Sequence, residues 1–186
     1  MNHITIDTIN TFDQAGFVAA LGHLFEGSPW IAEQAWPQRP FADAAQLHAA
    51  LCATVAQAPA ARKIALIQAH PDLAGKAAMA GALSPESTSE QASARLDRLS
   101  PDEYAAFTRL NSSYRAQFGF PFVICVREHT SASILANFAQ RLQHGREQEI
   151  DTALDEIAKI ARLRLHDVVS ASEQPRRHEG AKAGDK

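Results

Sequence analysis

The stretch QEIDTALDEIAKIARLRLHDVVS, residues 148–170, is the longest helix that the sequence predicts. Positions spaced alternately by four and three residues along it are typical of one buried helical stripe, and they are Ile150, Leu154, Ile157, Ala161, Arg164 and Val168. Arg164 lies within this apolar face, about 20° from Ile157 at 100° per residue, whereas Arg162 points away. The pattern therefore predicts a helix packed into a core with one guanidinium turned inward.

Helical spacing recurs along most of the chain, and alanine, the best helix former, makes up roughly a fifth of the residues. Further helices are predicted over residues 14–25, 30–36, 43–57, 59–69, 87–99 and 130–144, with another between Ser100 and Gly119. The stretch FPFVICV at 120–126 has strand-like side chains but no second strand to pair with, so we expect a buried extended segment. The sequence predicts an all-α, single-domain bundle of about eight to ten helices with one buried extended segment.

The length and composition exclude several classes of protein. A chain of 186 residues suits one domain, which we expect to span residues 1–170, because the polar, aperiodic stretch 171–186 is typical of a disordered tail. The net charge of −3 provides no basic field for a nucleic acid. No apolar run approaches the roughly 18 residues of a membrane span. The first residues lack a secretory signal and the last three, GDK, lack a peroxisomal one, so a cytoplasmic protein is expected.

Metal and disulfide chemistry have no support in the sequence. The two cysteines, Cys52 and Cys125, are too few for a disulfide scaffold and match no zinc motif. No pair of histidines has the HxxxH or HExxH spacing of a metal site. Because nothing in the sequence marks an activating partner for Cys125, we expect a buried, inert thiol there.

His70 is the first candidate for catalysis. It opens HPDLAGK, residues 70–76, where Pro71 ends the preceding helix and a glycine-containing loop follows. A histidine at such a helix end is placed to face a cleft, and its ordinary pKa suits proton transfer near neutral pH. The alternative is that His70 only stabilises the negative end of the helix dipole.

Glu90 has a structural alternative of its own. The spacing Ser87-x-x-Glu90 fits a capping box, in which the glutamate accepts a hydrogen bond from the amide of the cap residue. Ser100-x-x-Glu103 fits the same pattern equally well. On this interpretation Ser87 and Glu90 begin a helix and have no chemical role.

Arg164 and the FPFVICV segment are also ambiguous. A guanidinium on an apolar face is costly unless it meets an anion. An internal salt bridge or a snorkelling side chain would satisfy Arg164, whereas a functional site would offer it an anionic ligand, which Arg binds with two hydrogen bonds. The extended segment could offer unpaired backbone amides to a ligand, or it could be plain hydrophobic core.

Four motifs, in this order, resemble the OHCU decarboxylases, OHCU being 2-oxo-4-hydroxy-4-carboxy-5-ureidoimidazoline. They are HPDLAGK at 70–76, LS…STSEQ at 83–91, FGFPFVICVR at 118–127 and EIAKIARLRL at 156–165. The resemblance covers the chain from about residue 10 to 170. It implies an all-helical, commonly dimeric enzyme without cofactor or metal, which converts OHCU to (S)-allantoin and CO2 in the breakdown of urate.

The resemblance also assigns the site residues. The catalytic residues fall on His70, Glu90 and Arg164. The substrate-binding residues fall on Pro71, Ser87, Gln91, Phe122 and Ile124. On this interpretation His70 handles the proton of the substrate hydroxyl, Glu90 holds or shares its charge, and Arg164 grips an anionic or carbonyl edge. The roles of His70 and Glu90 could be exchanged.

The expected partners are the small-molecule substrate OHCU and a second copy of the chain, with no nucleic acid and no membrane. Two alternatives belong to other classes. One is a related helical enzyme that acts on another ureido or imidazole acid. The other is a noncatalytic helical interaction module, in which His70 and Glu90 cap helices and Arg164 bridges elements inside the fold.

Overall fold

A computed structural model describes residues 4–75, 78 and 80–169. Within these residues the chain forms nine α-helices, two 3₁₀ turns and no strand, apart from a single bridge between Ile4 and Val169. The helices are α1 (Ile6–Thr11), α2 (Gln14–Leu21), α3 (Trp30–Ala35), α4 (Ala44–Gln57), α5 (Ala60–Gln68), α6 (Pro85–Ser93), α7 (Pro101–Phe118), α8 (Ser131–Arg141) and α9 (Arg146–Val168). The predicted all-α fold is confirmed. The expected tail at 171–186 lies outside the described residues.

The helix α9 organises the core. It packs against α4 and α5, and its inner face includes Ile157, Ala161 and Leu165. On another side of the core, Tyr114 and Phe138 join a cluster of aromatic rings. The other rings of this cluster are Phe107, Phe118, Phe120 and Phe122.

The buried stripe of α9 is rotated from the predicted one. Ile157, Ala161 and Arg164 are buried as predicted, but the predicted positions Ile150, Leu154 and Val168 are only partly buried. Glu149, Ala153 and Glu156 take their place on the inner face. The two carboxylates can lie there because each binds a donor from another part of the core, and apolar periodicity carries no sign of such partners.

The helix α6 begins earlier than predicted. The hydroxyl of Ser84 caps it by accepting a hydrogen bond from the Ser87 amide at 3.2 Å, and Pro85 occupies the first turn. Ser87 and Glu90 therefore lie inside the helix, and the capping-box interpretation of this pair is wrong. The second capping box, between Ser100 and Glu103, is present at the start of α7.

The same helix ends at Ser93 and not near Leu99. Arg95 adopts a left-handed φ of 58°, and the amide of Leu96 donates to the carbonyl of Gln91 at 3.0 Å. This is the geometry that closes a helix C-terminus, usually with glycine in the left-handed position. Because an arginine takes that position here, the sequence shows no sign of the end.

The FPFVICV stretch is the buried extended segment that the sequence predicts. All seven residues from Phe120 to Val126 are buried. The segment forms neither helix nor strand until the 3₁₀ turn Val126–Glu128.

Within the described residues, no single helix has the length and hydropathy of a membrane span. The helices α4 and α5 reach that threshold only as a pair, which is bent by 116° at the junction.

Candidate active site

One cavity collects every residue that the resemblance assigns to the site. The walls of this cavity come from the end of α5, from α6, from the extended segment and from α9. The assigned residues that line it are His70, Pro71, Ser87, Glu90, Gln91, Phe122, Ile124 and Arg164. A small cavity with apolar walls and a few polar groups is typical of a site for a small ligand.

His70 has one ring nitrogen held by the protein, and its other ring nitrogen has no hydrogen-bond partner among the described residues. Its Nδ1 lies 3.0 Å from the carbonyl oxygen of Leu66. Because a carbonyl can only accept, Nδ1 carries the proton and Nε2 keeps its lone pair. Burial lowers the pKa of His70 to about 4, although the Leu66 carbonyl and the Glu26 carboxylate act in the opposite direction. The ring is therefore a neutral imidazole at neutral pH, whose Nε2 can accept a hydrogen bond or a proton, and it does not fit a charged residue at a helix end.

Arg164 is fully coordinated by the protein. Its Nε and Nη2 donate to the two oxygens of Glu90 at 2.7 and 2.8 Å. Its Nη1 donates to Glu26 Oε2 at 3.2 Å and to the carbonyl of His23 at 3.3 Å, and Nη2 lies 3.4 Å from Ser87 Oγ. These five contacts use all five N–H groups of the guanidinium. Burial alone would lower the pKa of Arg164, but the carboxylates of Glu90 and Glu26 outweigh it and raise the pKa above its ordinary value.

The internal salt bridge, one of the alternatives for Arg164, is therefore present. The side chain does not snorkel, because it is only 4% exposed. The same ion pair also lines the cavity. A ligand would reach a guanidinium N–H only by displacing a protein partner, and the contacts with His23 and Ser87 are the longest of the five.

Gln91 and Ser87 each have one end fixed as well. The Oε1 atom of Gln91 accepts a hydrogen bond from the Ala74 amide at 3.0 Å. Because that amide must meet an oxygen, the side-chain NH2 of Gln91 remains as a donor. The Ser87 hydroxyl donates to Glu26 Oε2 at 3.0 Å, so its remaining hydrogen-bonding capacity is that of an acceptor.

The extended segment brings backbone donors to the cavity wall. The amides of Phe122, Val123 and Ile124 have no hydrogen-bond partner among the described residues, whereas the Cys125 amide donates to Glu156 at 2.7 Å. A backbone amide that points into a cavity can stabilise a carboxylate or a developing oxyanion. The segment thus has the donors expected of a ligand-binding wall, although its side chains belong to the core.

A buried ion pair supports this wall from behind. Arg141 donates to the carbonyl of Val123 at 2.8 Å, and its guanidinium lies 4.4 Å from the ring centroid of Phe122. Its charge is balanced by Glu149, which is fully buried and also accepts a hydrogen bond from the Tyr114 hydroxyl. Burial raises the pKa of Tyr114, so the hydroxyl keeps its proton.

Sequence reasoning misses two carboxylates around the site, Glu26 and Glu149. The inward position of Arg164 signals that an anion must lie nearby, but it does not identify which of the chain's carboxylates supplies it. For Glu149 even that signal is absent, because Arg141 ends a different helix.

Other reactive groups do not extend the site. Burial raises the pKa of the Cys125 thiol to about 11, in agreement with the expected inert side chain. In the part of the chain that the structure describes, no group of three His, Cys, Asp or Glu side chains is placed to hold a metal ion.

Comparison with known proteins identifies the family of the chain. Residues 10–166 match the sequence model of the family described as OHCU decarboxylase. The chain belongs to the OHCU decarboxylase family. A 2-oxo-4-hydroxy-4-carboxy-5-ureidoimidazoline decarboxylase of Haloferax volcanii is 42% identical over 165 residues, which are 89% of this chain and 96% of that protein. The protein of the same name from Halalkalicoccus jeotgali is 39% identical, over 90% of this chain and 93% of its own length.

A solved structure agrees with this membership. The crystal structure of an (S)-allantoin synthase superposes with a TM-score of 0.72 at 30% identity, over 89% of this chain. This chain spans about half of that longer one, 54% of its length. The resemblance to OHCU decarboxylases stated from four motifs is thus confirmed, and each motif contributes at least one residue to the cavity.

Proposed function

We propose that this chain decarboxylates OHCU to (S)-allantoin and CO2 in the breakdown of urate. The observation that carries the proposal is the placement of His70 in a cavity lined by the residues that the family resemblance assigns. Its Nδ1 is held by the Leu66 carbonyl, and its Nε2 has no hydrogen-bond partner among the described residues. Membership in the OHCU decarboxylase family supports the choice of substrate.

The reaction can be balanced with acid–base chemistry alone. The carbon that loses CO2 also carries a hydroxyl, and its neighbour is an imine carbon that bears the ureido group. When the C–CO2 bond breaks, its electron pair forms a carbon–carbon double bond, and the imine nitrogen takes up a proton. The resulting enol loses its hydroxyl proton and gains a proton on the ureido-bearing carbon, which gives allantoin. Overall, one proton from solution replaces CO2.

The hydrogen-bond donors and acceptors that the protein leaves available in the cavity match these steps. His70 Nε2 accepts the hydroxyl proton and can return it to the neighbouring carbon from one face, which sets the S configuration. The Gln91 NH2 group and the free amides of the extended segment donate to carboxylate or carbonyl oxygens of the substrate. The Ser87 hydroxyl accepts from a substrate N–H. General acid–base help of this kind is worth about 10²–10⁴-fold.

Glu90 and Arg164 act as an ion pair in the proposed mechanism. Both Glu90 oxygens bind Arg164, and no hydrogen bond joins Glu90 to His70 among the described residues. We therefore assign the pair the role of a fixed dipole on the cavity wall that orients the substrate ring, since preorganised charges contribute most where water is excluded. An anionic edge of the substrate would reach Arg164 by displacing its long contacts to Ser87 or His23.

The test is to follow freshly generated OHCU by circular dichroism at the allantoin band. Uncatalysed protonation reaches both faces of the planar carbon and gives no net signal, whereas the wild-type chain should give a rapid (S)-allantoin signal. His70→Ala and Glu90→Ala should slow its appearance by about 10²–10⁴-fold, and Glu33→Gln, at an exposed position, should match wild type. If the wild-type chain does not accelerate (S)-allantoin formation, the proposed function is wrong. If both alanine variants are as fast as wild type, the assignment of His70 and Glu90 is wrong.

We also propose that the chain acts as a homodimer in the cytoplasm. The dimer is supported by the family resemblance, and the location is the one expected in the sequence analysis. Sedimentation equilibrium should return twice the monomer mass of 20.2 kDa, and cell fractionation should recover the activity in the cytosolic fraction. A monomer at micromolar concentration, or activity in the membrane fraction, would contradict this.

A further inference from the structure

Glu26 lies beside the cavity, in the turn between α2 and α3. The next residue, Gly27, has a φ of +57°, and a Cβ atom there would lie 3.3 Å from the Cβ of Ala69. The turn therefore packs closely against the end of α5, directly before His70. Only a residue that tolerates the left-handed region and a close neighbour fits at position 27, and this turn places the Glu26 carboxylate next to the site.

One oxygen of Glu26 gathers three donors. Its Oε2 accepts from Ser84 Oγ at 3.3 Å, from Ser87 Oγ at 3.0 Å and from Arg164 Nη1 at 3.2 Å. The side chain is 15% exposed. Glu26 thus links the cap of α6, a cavity-lining hydroxyl of α6 and the buried guanidinium of α9.

This arrangement determines what Ser87 can do. A hydroxyl has one proton, and the proton of Ser87 is committed to Glu26. Toward the cavity, Ser87 can therefore only accept a hydrogen bond, and the substrate groups that fit it are N–H groups of the ureido arm or of the ring amides. Without the Glu26 carboxylate, the same hydroxyl could turn and donate to a carbonyl, and the substrate would lose one element of its orientation.

Resting on the proposed function, we propose that Glu26 is a positioning residue for OHCU decarboxylation. It holds the Ser87 hydroxyl as an acceptor for a substrate N–H and, together with Glu90, holds Arg164 in place. Glu26 acts through these two side chains and does not itself line the cavity.

The experiment combines kinetics with a double-mutant cycle. Glu26→Gln keeps the shape of the side chain and removes its charge, and we expect kcat/KM for OHCU to fall about 10- to 100-fold, as for a lost hydrogen bond to a charged group. Glu26→Asp keeps the charge and should recover part of this loss. The matched control is Glu33→Gln, an exposed charge on α3.

The link to Ser87 is tested by adding Ser87→Ala to both backgrounds. If Glu26 acts through Ser87, this substitution costs clearly less in the Glu26→Gln background than in wild type. A merely structural Glu26 would lower the melting temperature of the variants but leave the two costs equal. All rates are measured well below the lowest melting temperature among the variants, so that unfolded protein does not lower the measured activity.

The outcomes separate this inference from the proposed function. If wild type is active, the inference is overturned by wild-type kcat/KM in Glu26→Gln, or by equal costs of Ser87→Ala in the two backgrounds. If wild type does not accelerate the reaction, the proposed function fails, and the assignment of Glu26 fails with it.

Discussion

At the scale of residues, His70, Ser87 and Gln91 each have one end bound by the protein, which decides what the other end offers to a ligand. His70 donates a hydrogen bond from Nδ1 to the Leu66 carbonyl and keeps the lone pair of Nε2. Gln91 gives its oxygen to the Ala74 amide and keeps a donor. The site therefore presents a fixed pattern of donors and acceptors before any substrate arrives, and such preorganisation costs nothing at the moment of reaction.

The neutral state of His70 makes folding sensitive to pH. Its pKa is about 4 in the folded protein and about 6.5 in an unfolded chain. Between these values only the unfolded chain binds the proton, so the free energy of unfolding should fall as the pH is lowered from 6.5 to 4, by about 3 kcal/mol in total. Urea denaturation at pH 7 and pH 4.5 should show that His70→Asn, which has no titrating ring, loses clearly less stability than wild type. His166→Asn, at an exposed position, should behave like wild type, and an equal loss in His70→Asn and wild type would contradict the assignment.

The donor end of Gln91 gives a second prediction at this scale. Gln91→Glu keeps an oxygen for the Ala74 amide but replaces the cavity-facing NH2 with an acceptor. We expect kcat/KM for OHCU to fall about 100-fold, mostly through KM, because acceptors then face each other across a desolvated contact. Steady-state kinetics measures this, with the exposed Gln38→Glu as the matched control. A wild-type KM in Gln91→Glu would show that this amide does not bind the substrate.

At the scale of elements, α9 shows what the sequence can and cannot predict. Its periodicity correctly places Arg164 inside the fold, because a 3.6-residue repeat is a local property of the chain. It does not place Glu149 and Glu156 there, because the donors that allow their burial come from Arg141, Tyr114 and the Cys125 amide. Burial of a charge depends on partners that only the tertiary fold supplies.

The helix α6 likewise shows which features of the site the sequence predicts and which it does not. Its existence follows from local pattern, but its first residue depends on a choice between Ser84 and Ser87 as the cap, and both fit the preference for a small polar residue. The choice matters because, in a capping box, Ser87 and Glu90 would bind backbone amides of their own helix and not Glu26 and Arg164, as they do in the structure. The residues of the site could thus be identified from the motifs, whereas the contacts that define their roles could not.

The wall formed by the extended segment depends on the ion pair behind it. Arg141→Met leaves the buried Glu149 without its guanidinium and the Val123 carbonyl without its donor, so we expect a loss of about 3–5 kcal/mol in the free energy of unfolding. Arg141→Met/Glu149→Gln should lose less than the sum of the two single variants, since the second substitution removes the uncompensated charge. Urea denaturation gives both quantities. Additive losses would mean that the two side chains do not act as a pair.

At the scale of the whole molecule, the site joins parts of the chain that lie far apart in sequence. The contacts of Arg164 span 138 residues to Glu26 and 77 residues to Ser87. A ligand in the cavity therefore stabilises the complete fold and not one local unit.

This coupling predicts that the product protects the protein. At a concentration 100 times its Kd, (S)-allantoin should raise the free energy of unfolding by about 2.7 kcal/mol if it binds only the folded chain. Urea denaturation with and without product measures the difference, and (R)-allantoin at the same concentration should protect less. No protection by (S)-allantoin at any concentration up to its solubility limit would count against a product complex in this cavity.

The bridge between Ile4 and Val169, in which the Ile4 amide donates to the Val168 carbonyl at 2.9 Å, places the first and last described residues side by side. A short peptide from residue 169 back to residue 4 would therefore close the chain into a ring with little strain. Opening that ring at the junction of α4 and α5, at residues 58–59, gives a circular permutant that keeps every residue of the cavity. In this permutant α5, α6 and α9 are synthesised in a different order relative to the other helices. Its activity would therefore show whether the site depends only on the folded structure or also on the order in which the helices form.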